Sequence, residues 1–200
     1  MPIRGVLFDF DGTLTRPGSL DFEAIRKALG FPQGYPILEY LNTLKGTDKF
    51  RALVILEGME NAAARNSVPN HGAVSLLTWL KKRFLPFGLV TRNGIQSVRI
   101  ALRVFKPFTE SDFAVIITRD DAPPKPEPVG LLIAAQRMNL EPENILFVGD
   151  YRFDVLAGTA AGMITALITN GYRSTLRPDD PCPRYEITHL DEIFAILQNP

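Results

Sequence analysis

The sequence is poor in the features that would tie it to export, to a membrane or to a polyanion. Cys182 is its only cysteine, so no internal disulfide can form and a reducing compartment is expected. That cysteine sits between two prolines near the C-terminus, and nothing in its surroundings suggests a catalytic role. No apolar stretch approaches the roughly 18 residues of a membrane span. No basic segment followed by a long apolar one opens the chain, which argues against a signal peptide. A soluble, cytoplasmic protein is therefore the expectation. Its 22 basic and 22 acidic side chains cancel, leaving no global field to attract nucleic acid or an anionic membrane. Neither is expected as a partner. A phosphate-bearing ligand would have to be held by local groups. No internal repeat or low-complexity segment is present. The oligomeric state is open, with a monomer favoured.

What the sequence does contain is a core. With 200 residues and 46% apolar side chains, it can form one ordinary domain, or a core domain with a small appendage. Short apolar runs repeatedly end in polar turns. Val6-Leu7-Phe8 leads into Asp9-Phe10-Asp11-Gly12-Thr13. The runs 87–90, 113–117, 145–148 and 164–168 lead into Thr91-Arg92-Asn93-Gly94, Thr118-Arg119-Asp120-Asp121, Gly149-Asp150 and Thr169-Asn170-Gly171. Between them, 72–83, 95–105 and 128–138 carry apolar residues at helical spacing, and a weak strand near 185–187 precedes a closing helix over 190–197. Strands alternating with helices predict an α/β fold, a parallel sheet covered on both faces. Ligands in such sheets collect at the carboxyl ends of the strands, where these polar turns fall.

The roughly 55 residues from Arg16 to Asn70 break the alternation and are too many for a loop. The stretches 20–29 and 48–65 read as helices, with 35–44 a candidate third. The expected division is therefore a core of residues 1–15 and 71–200 and an all-helical insertion of residues 16–70. Pro69-Asn70-His71-Gly72 marks the return to the core.

Asp9 and Asp11 carry the first chemical signal. Continued strand geometry would point both to one side, with Phe8 and Phe10 on the other. Adjacent carboxylates repel, and a hard cation such as Mg²⁺ relieves that repulsion. Gly12 lets the backbone approach a ligand, and Thr13 offers a hydroxyl or an amide. A solvated Asp-Gly turn would be the plainer explanation of Asp11-Gly12 alone. The longer string Asp9-x-Asp11-Gly12-Thr13 is expected by chance in only roughly one chain in a thousand of this length.

Asp9-Phe10-Asp11-Gly12-Thr13-Leu14-Thr15 resembles the first motif of the haloacid dehalogenase-like hydrolases. Leu89-Val90-Thr91 resembles the second, Lys125 within Pro123-Pro124-Lys125-Pro126 the third, and Gly149-Asp150-x-x-x-Asp154 the fourth. Gly158 to Met163 resembles the helix and loop that follow. The resemblance spans nearly all of the core, and it implies a Rossmann-like sheet with a helical cap inserted after the first strand. It implies Asp9 as nucleophile, forming an acyl phosphate, and Asp11 as general acid and then base. Asp9, the Asp11 backbone carbonyl and Asp150 would hold Mg²⁺, with Asp154 orienting a metal-bound water or Lys125. Lys125 would neutralise the phosphate oxygens. Thr91 would bond one of them, with Gly12, Arg92 and Asn93 alongside.

Each role has a plainer rival. Asp150 and Asn93 suit helix N-caps, Lys125 suits an exposed loop, and Arg92 suits solvent. In the insertion, Lys45 and Lys49 faintly resemble the cap specificity loop of phosphoglycolate phosphatases and β-phosphoglucomutases. They could read a second anion on the substrate, or simply be solvated. A small cap further suggests an open site of broad range. The function implied is a Mg²⁺-dependent phosphatase acting on a small phosphorylated metabolite. The alternatives are a phosphomutase built on the same pair of aspartates, and a silent phosphate-binding protein. The silent protein is disfavoured because Asp9, Asp11, Thr91, Lys125 and Asp150 are all present. A dehalogenase fits poorly, since that chemistry needs no metal.

Overall fold

A computed structural model describes residues 2–198. The sheet has six strands, all parallel, in the order β3-β2-β1-β4-β5-β6. These are β1 (Gly5–Phe8), β2 (Phe87–Val90), β3 (Val115–Ile117), β4 (Ile145–Gly149), β5 (Ile164–Ile168) and β6 (Tyr185–Ile187). The core helices are α4 (Ala73–Lys82), α5 (Ile95–Leu102), α6 (Val129–Met138), α7 (Arg152–Ala160) and α8 (Ile193–Gln198). The fold class and the placing of the strands and of α4, α5, α6 and α8 agree with the periodicity of the sequence; α7 was not read from it.

Burial on two faces explains the unbroken apolar strands. Val6 and Phe8 of β1 pack with Leu89, Leu146 and Val148 against α4, α5 and α8. Leu7 points the opposite way and packs with Phe147, Ile145 and Val90 against α6 and α7. Val6, Leu7 and Phe8 are fully buried. Each such side chain is worth about 1.5–3 kcal/mol of transfer free energy. This covering fixes β1 at the centre, between β2 and β4. The strand order reverses there, so a crevice opens beyond the carboxyl ends of β1 and β4.

Three helices lie between β1 and β2 in the chain: α1 (Phe22–Leu29), α2 (Ile37–Thr43) and α3 (Gly46–Arg65). Asp21 caps α1 by accepting from the amides of Glu23 (3.1 Å) and Ala24 (2.9 Å), and Gly30 ends it in the left-handed region at φ 68°. The three helices share an apolar cluster of their own, including Ile25, Phe31, Leu38, Leu41 and Leu56. The chain enters and leaves this group of helices side by side. Thr15 and Pro69 form an isolated antiparallel bridge, the Arg16 amide donates to the Val68 carbonyl at 2.9 Å, and the Asn70 amide donates to the Leu14 carbonyl at 2.7 Å.

Two ion pairs add to this neck. Glu39 of α2 meets Arg92 beyond β2, and Glu60 of α3 meets Arg119 beyond β3. The second pair is buried on both sides, and α3 packs along α5 beside it. No described helix is long and apolar enough to cross a membrane.

Candidate active site

The site begins where β1 stops. The Asp9 amide donates to the Val148 carbonyl of β4 at 2.8 Å, which continues the sheet for one more residue. The chain then leaves strand geometry. Residues 10–14 form a wide turn, closed by the Thr15 amide donating to the Phe10 carbonyl at 2.9 Å. Asp11 and Asp9 do line one cavity, but this turn brings them there, not the strand pleat expected from their spacing. Gly12 makes the turn possible, at φ 77°. A β-carbon at Gly12 would collide with the Asp150 carboxylate, and one at Gly149 with that of Asp154. Both glycines leave room for an acidic side chain.

The cavity measures about 320 Å³ and lies over the strand ends. Asp9, Asp11, Gly12, Thr91, Arg92, Asn93, Lys125, Asp150 and Asp154 all line it. Four strand ends and the turn after β1 thus bring together nearly every residue singled out in the core. Lys125 sits at the centre, 3% exposed. Its ammonium donates to Asp9 Oδ1 at 2.5 Å and to the Val90 carbonyl at 2.9 Å, and lies 2.6 Å from Asp154 Oδ1. Burial acts to lower its pKa, but Asp154 and Asp9 outweigh burial and the net shift is upward. The exposed-loop alternative for Lys125 does not hold.

Carboxylate oxygens of Asp9, Asp150 and Asp154 lie within 4.8 Å of one another. One ammonium cannot balance three such carboxylates. Burial, aided by the neighbouring charges of Asp154 and Asp11 and opposed by Lys125, raises the Asp9 carboxyl from 3.8 to about 7. Burial and the charges of Asp9 and Asp154 push Asp150 well above its ordinary value. A cluster of hard oxygen donors with excess negative charge fits a divalent cation. Asp150 is not a helix cap, because Tyr151 occupies that position at α7, and its amide donates to Asp154 Oδ2 at 3.0 Å.

Asp11 stands apart from this cluster. Its Oδ2 accepts from Asn93 Nδ2 at 2.5 Å and its Oδ1 from Thr15 Oγ1 at 3.2 Å. Burial raises its pKa, and those two hydrogen bonds oppose the rise. Asn93 is therefore a partner of Asp11; Gly94, not Asn93, occupies the N-cap position of α5. Thr91 is buried, and its Oγ1 accepts from the Asn93 amide at 3.2 Å. Arg92 grips Glu39 with Nη2, at 3.0 and 2.8 Å to the two carboxylate oxygens, and donates from Nη1 to the Lys125 carbonyl.

Lys45 and Lys49 do not line the cavity. Both lie at the start of α3, and Lys49 donates to Asn42 at 3.3 Å. Leu56 and Glu60 are the α3 residues that reach the cavity. Lys49 is about two helical turns from Leu56, roughly 10 Å along the axis, which places it beyond the site. The inserted helices contribute Phe22, Ile25, Ile37, Leu38 and Leu56 to its lining, and Tyr35 joins them from the segment before α2.

Two asparagines hold the turn after β1 in place, though the sequence marks them only as turn residues. Asn170 Nδ2 donates to the Gly12 carbonyl at 2.7 Å. Asn70 Nδ2 donates to the Thr13 carbonyl and to Asn170 Oδ1, both at 2.8 Å. They tie the turn carrying Asp11 to the end of β5 and to the returning strand of the insertion. Asn170 adopts φ 53°, a conformation asparagine tolerates better than most residues. The sequence signals were the polar turn after β5 and the Pro69-Asn70-His71-Gly72 return to the core. Asn170→Ala should cost about 1–3 kcal/mol by orphaning a carbonyl. It should lower kcat more than it raises KM, and Asn170→Asp, lacking the donor, should not rescue it. Urea unfolding and steady-state kinetics check both expectations; unchanged kcat would contradict the positioning role.

Acidic side chains clustered at the switch point of a parallel sheet, beside a lysine-bound aspartate, make an α/β protein with a candidate hydrolase site. Residues 6–168 match the model of the haloacid dehalogenase-like hydrolases, and the chain belongs to that family, in its phosphatase branch. It is 32% identical to the uncharacterized hydrolase YOR131C of Saccharomyces cerevisiae, over 98% of this chain and 92% of that one. It is 31% identical to the N-acetylmuramic acid 6-phosphate phosphatase of Pseudomonas putida, over 90% and 87% of the two chains. A hydrolase of Pseudomonas syringae shares the fold, with a TM-score of 0.81 at 22% identity over 98% and 99% of the chains.

Proposed function

We propose that the protein is a Mg²⁺-dependent phosphatase of small phosphorylated metabolites, acting through an aspartyl-phosphate on Asp9. The single observation that carries this reading is the contrast between two neighbouring carboxyls. Asp9 belongs to a charged cluster with Lys125, Asp150 and Asp154, whereas Asp11 is held by Asn93 and Thr15 outside it. Environments that separate two carboxyls suit them to different tasks. An Asp9 oxygen attacks phosphorus, the bond from phosphorus to the leaving oxygen breaks, and Asp11 delivers its proton to that oxygen. Asp11 then takes a proton from the water that attacks the aspartyl-phosphate, releasing inorganic phosphate and restoring Asp9. Lys125 balances charge on the phosphoryl oxygens and holds Asp9 in place. Thr91, Asn93 and the backbone at Gly12 contact the transferred group.

Asp9, Asp150 and the Asp11 carbonyl would hold Mg²⁺, with Asp154 beside them fixing Lys125. When bound, the cation supplies positive charge that offsets the repulsion between the carboxylates and the phosphate. Residues 1–15 and 71–200 make the catalytic core in this reading, and residues 16–70 the cap that confines the leaving group. The sugar-phosphate phosphatase among the relatives supports a small ester as substrate. Phosphate release from a panel of phosphorylated metabolites tests the reading. Release that needs Mg²⁺ and stops with EDTA is expected; no release from any ester, or release indifferent to EDTA, would overturn it.

The cation has a stability signature with a definite sign. The Asp9 carboxyl is raised from 3.8 to about 7 on folding. Between those values the folded protein keeps a proton that the unfolded chain has released. Stability of the metal-free protein therefore falls as pH rises through that window. Mg²⁺ competes with the same proton, so it should stabilise more at pH 8 than at pH 5. At a hundredfold excess over Kd the gain is about 2.7 kcal/mol, or roughly 5–10 °C for a chain of this size. Thermal denaturation with and without Mg²⁺ reads this; an equal shift at both pH values would contradict it.

A further inference from the structure

Three cations line the cavity: Arg26, Arg92 and Lys125. Two of them are already committed within the protein. Lys125 is bound by Asp9, Asp154 and the Val90 carbonyl. Arg92 is bound by Glu39 and the Lys125 carbonyl, and lies over the Phe153 ring at 5.0 Å. Arg26 is different. Its one side-chain hydrogen bond among the described residues runs from Nη1 to the Phe22 carbonyl, one turn back in α1, at 3.2 Å. It pairs with no carboxylate among those residues, and most of its N–H donors are unused.

Its surroundings make this availability consequential. Phe22, Ile25, Ile37, Leu38 and Leu56 line the same cavity. Arg26 is half-buried, and a guanidinium partly withdrawn from water gains more from an anion than a fully exposed one. The carboxyl that the insertion places in the same cavity, Glu60, is bound by Arg119 through Oε1, while its Oε2 has no partner among the described residues. Arg26 comes from α1, and Asp9, Thr91 and Lys125 come from the strand ends. A molecule with its phosphoryl group at Asp9 and its remainder among the three inserted helices therefore shares the cavity with Arg26. The cavity volume is near the lower end for ligand sites, so the two groups must be close together.

We propose that Arg26 is the specificity-determining residue of this site, and that the preferred substrates are compact phosphomonoesters with a second anionic group a few bonds from the reacting phosphoryl. This deepens the phosphatase reading and rests on it. The second anion is a carboxylate or a phosphate, and either engages the guanidinium fork in the same way. Arg26 thus takes the role that the sequence suggested for Lys45 or Lys49.

The test compares three Mg²⁺-dependent hydrolyses: 2-phosphoglycolate, ethylene glycol bisphosphate and ethyl phosphate, which has no second anion. Wild type should favour one or both of the first two. Arg26→Gln should lower kcat/KM on the favoured substrate about ten- to a hundredfold more than on ethyl phosphate, chiefly through KM. Arg26→Lys should recover part of that loss, having the charge without the fork. The substrate on which selectivity collapses tells carboxylate from phosphate. Equal losses on all three, or no loss, would overturn the proposal. Failure of wild type to hydrolyse any of them would count against the phosphatase reading instead. Calorimetry on Asp9→Asn with and without Arg26→Gln, using 2-phosphoglycolate and inorganic phosphate, then reads Arg26 without turnover. Selective weakening of 2-phosphoglycolate supports the role, and equal affinities overturn it.

Discussion

Asp9→Asn should lower phosphate release by at least about 10⁴-fold while leaving the protein folded. An amide keeps the shape of the carboxylate but cannot act as the nucleophile, and no other step compensates for its loss. The effect on stability should run opposite to the effect on activity. Asp9 is one of three carboxylates crowded around a single ammonium, and its charged form is disfavoured by burial. Removing that charge relieves repulsion in the metal-free protein, so its Tm at pH 8 should equal or exceed that of wild type. The stabilisation by Mg²⁺ should shrink in the same variant, since one ligand is weakened. Activity measurements paired with thermal denaturation in EDTA and in Mg²⁺ check all three expectations. Residual turnover within tenfold of wild type would remove Asp9 from the chemistry.

Lys125→Met should fail in both respects. Lys125 is the one ammonium that touches Asp9 and Asp154, and all three groups are buried. Truncating one member of a buried charge network leaves the others uncompensated, at a cost of about 3–5 kcal/mol. Losing a fixed positive charge beside the phosphoryl oxygens should lower kcat by about 10²–10³-fold. Adding Asp154→Asn removes one stranded carboxylate and should return part of the stability but none of the activity. Urea unfolding and single-turnover phosphate release separate the two effects. A Lys125→Met protein with an unchanged unfolding midpoint would show that the ammonium does not hold the cluster together.

These outcomes rest on residues of unequal legibility. Asp9, Asp11, Lys125 and Asp150 follow apolar runs or sit in stiff turns, so local pattern exposes them. Their rival explanations were local too, and tertiary contacts decided between them. Asp150 faces Gly12 and is not a cap; Asn93 bonds Asp11 and is not a cap; Lys125 is buried and not solvated. The misleading case was the turn after β1. Spacing by two implied a continued strand, but the left-handed Gly12 bends the chain and places Asp11 against Asn93. Asn70 and Asn170 were not legible because they bond backbone carbonyls, and such bonds leave no trace in residue type. Lys45 and Lys49 failed for a similar reason. Which turn of α3 overlies the cavity depends on how α3 packs along α5, a contact between residues far apart in the chain.

By itself, the sequence determined the strand order along the chain, every core helix but α7, the insertion between the first two strands, and the acidic and basic groups available at the strand ends. Hydrophobic periodicity and turn chemistry act over a few residues, so they can be read along the chain. The folded structure alone decided which carboxylates cluster, which cations are consumed by internal partners, and that Arg26 is the cation of the cavity left unpaired among the described residues. Charge pairing and burial depend on distances across the sheet and between α1, α2, α3 and the core, and chain order does not set those distances.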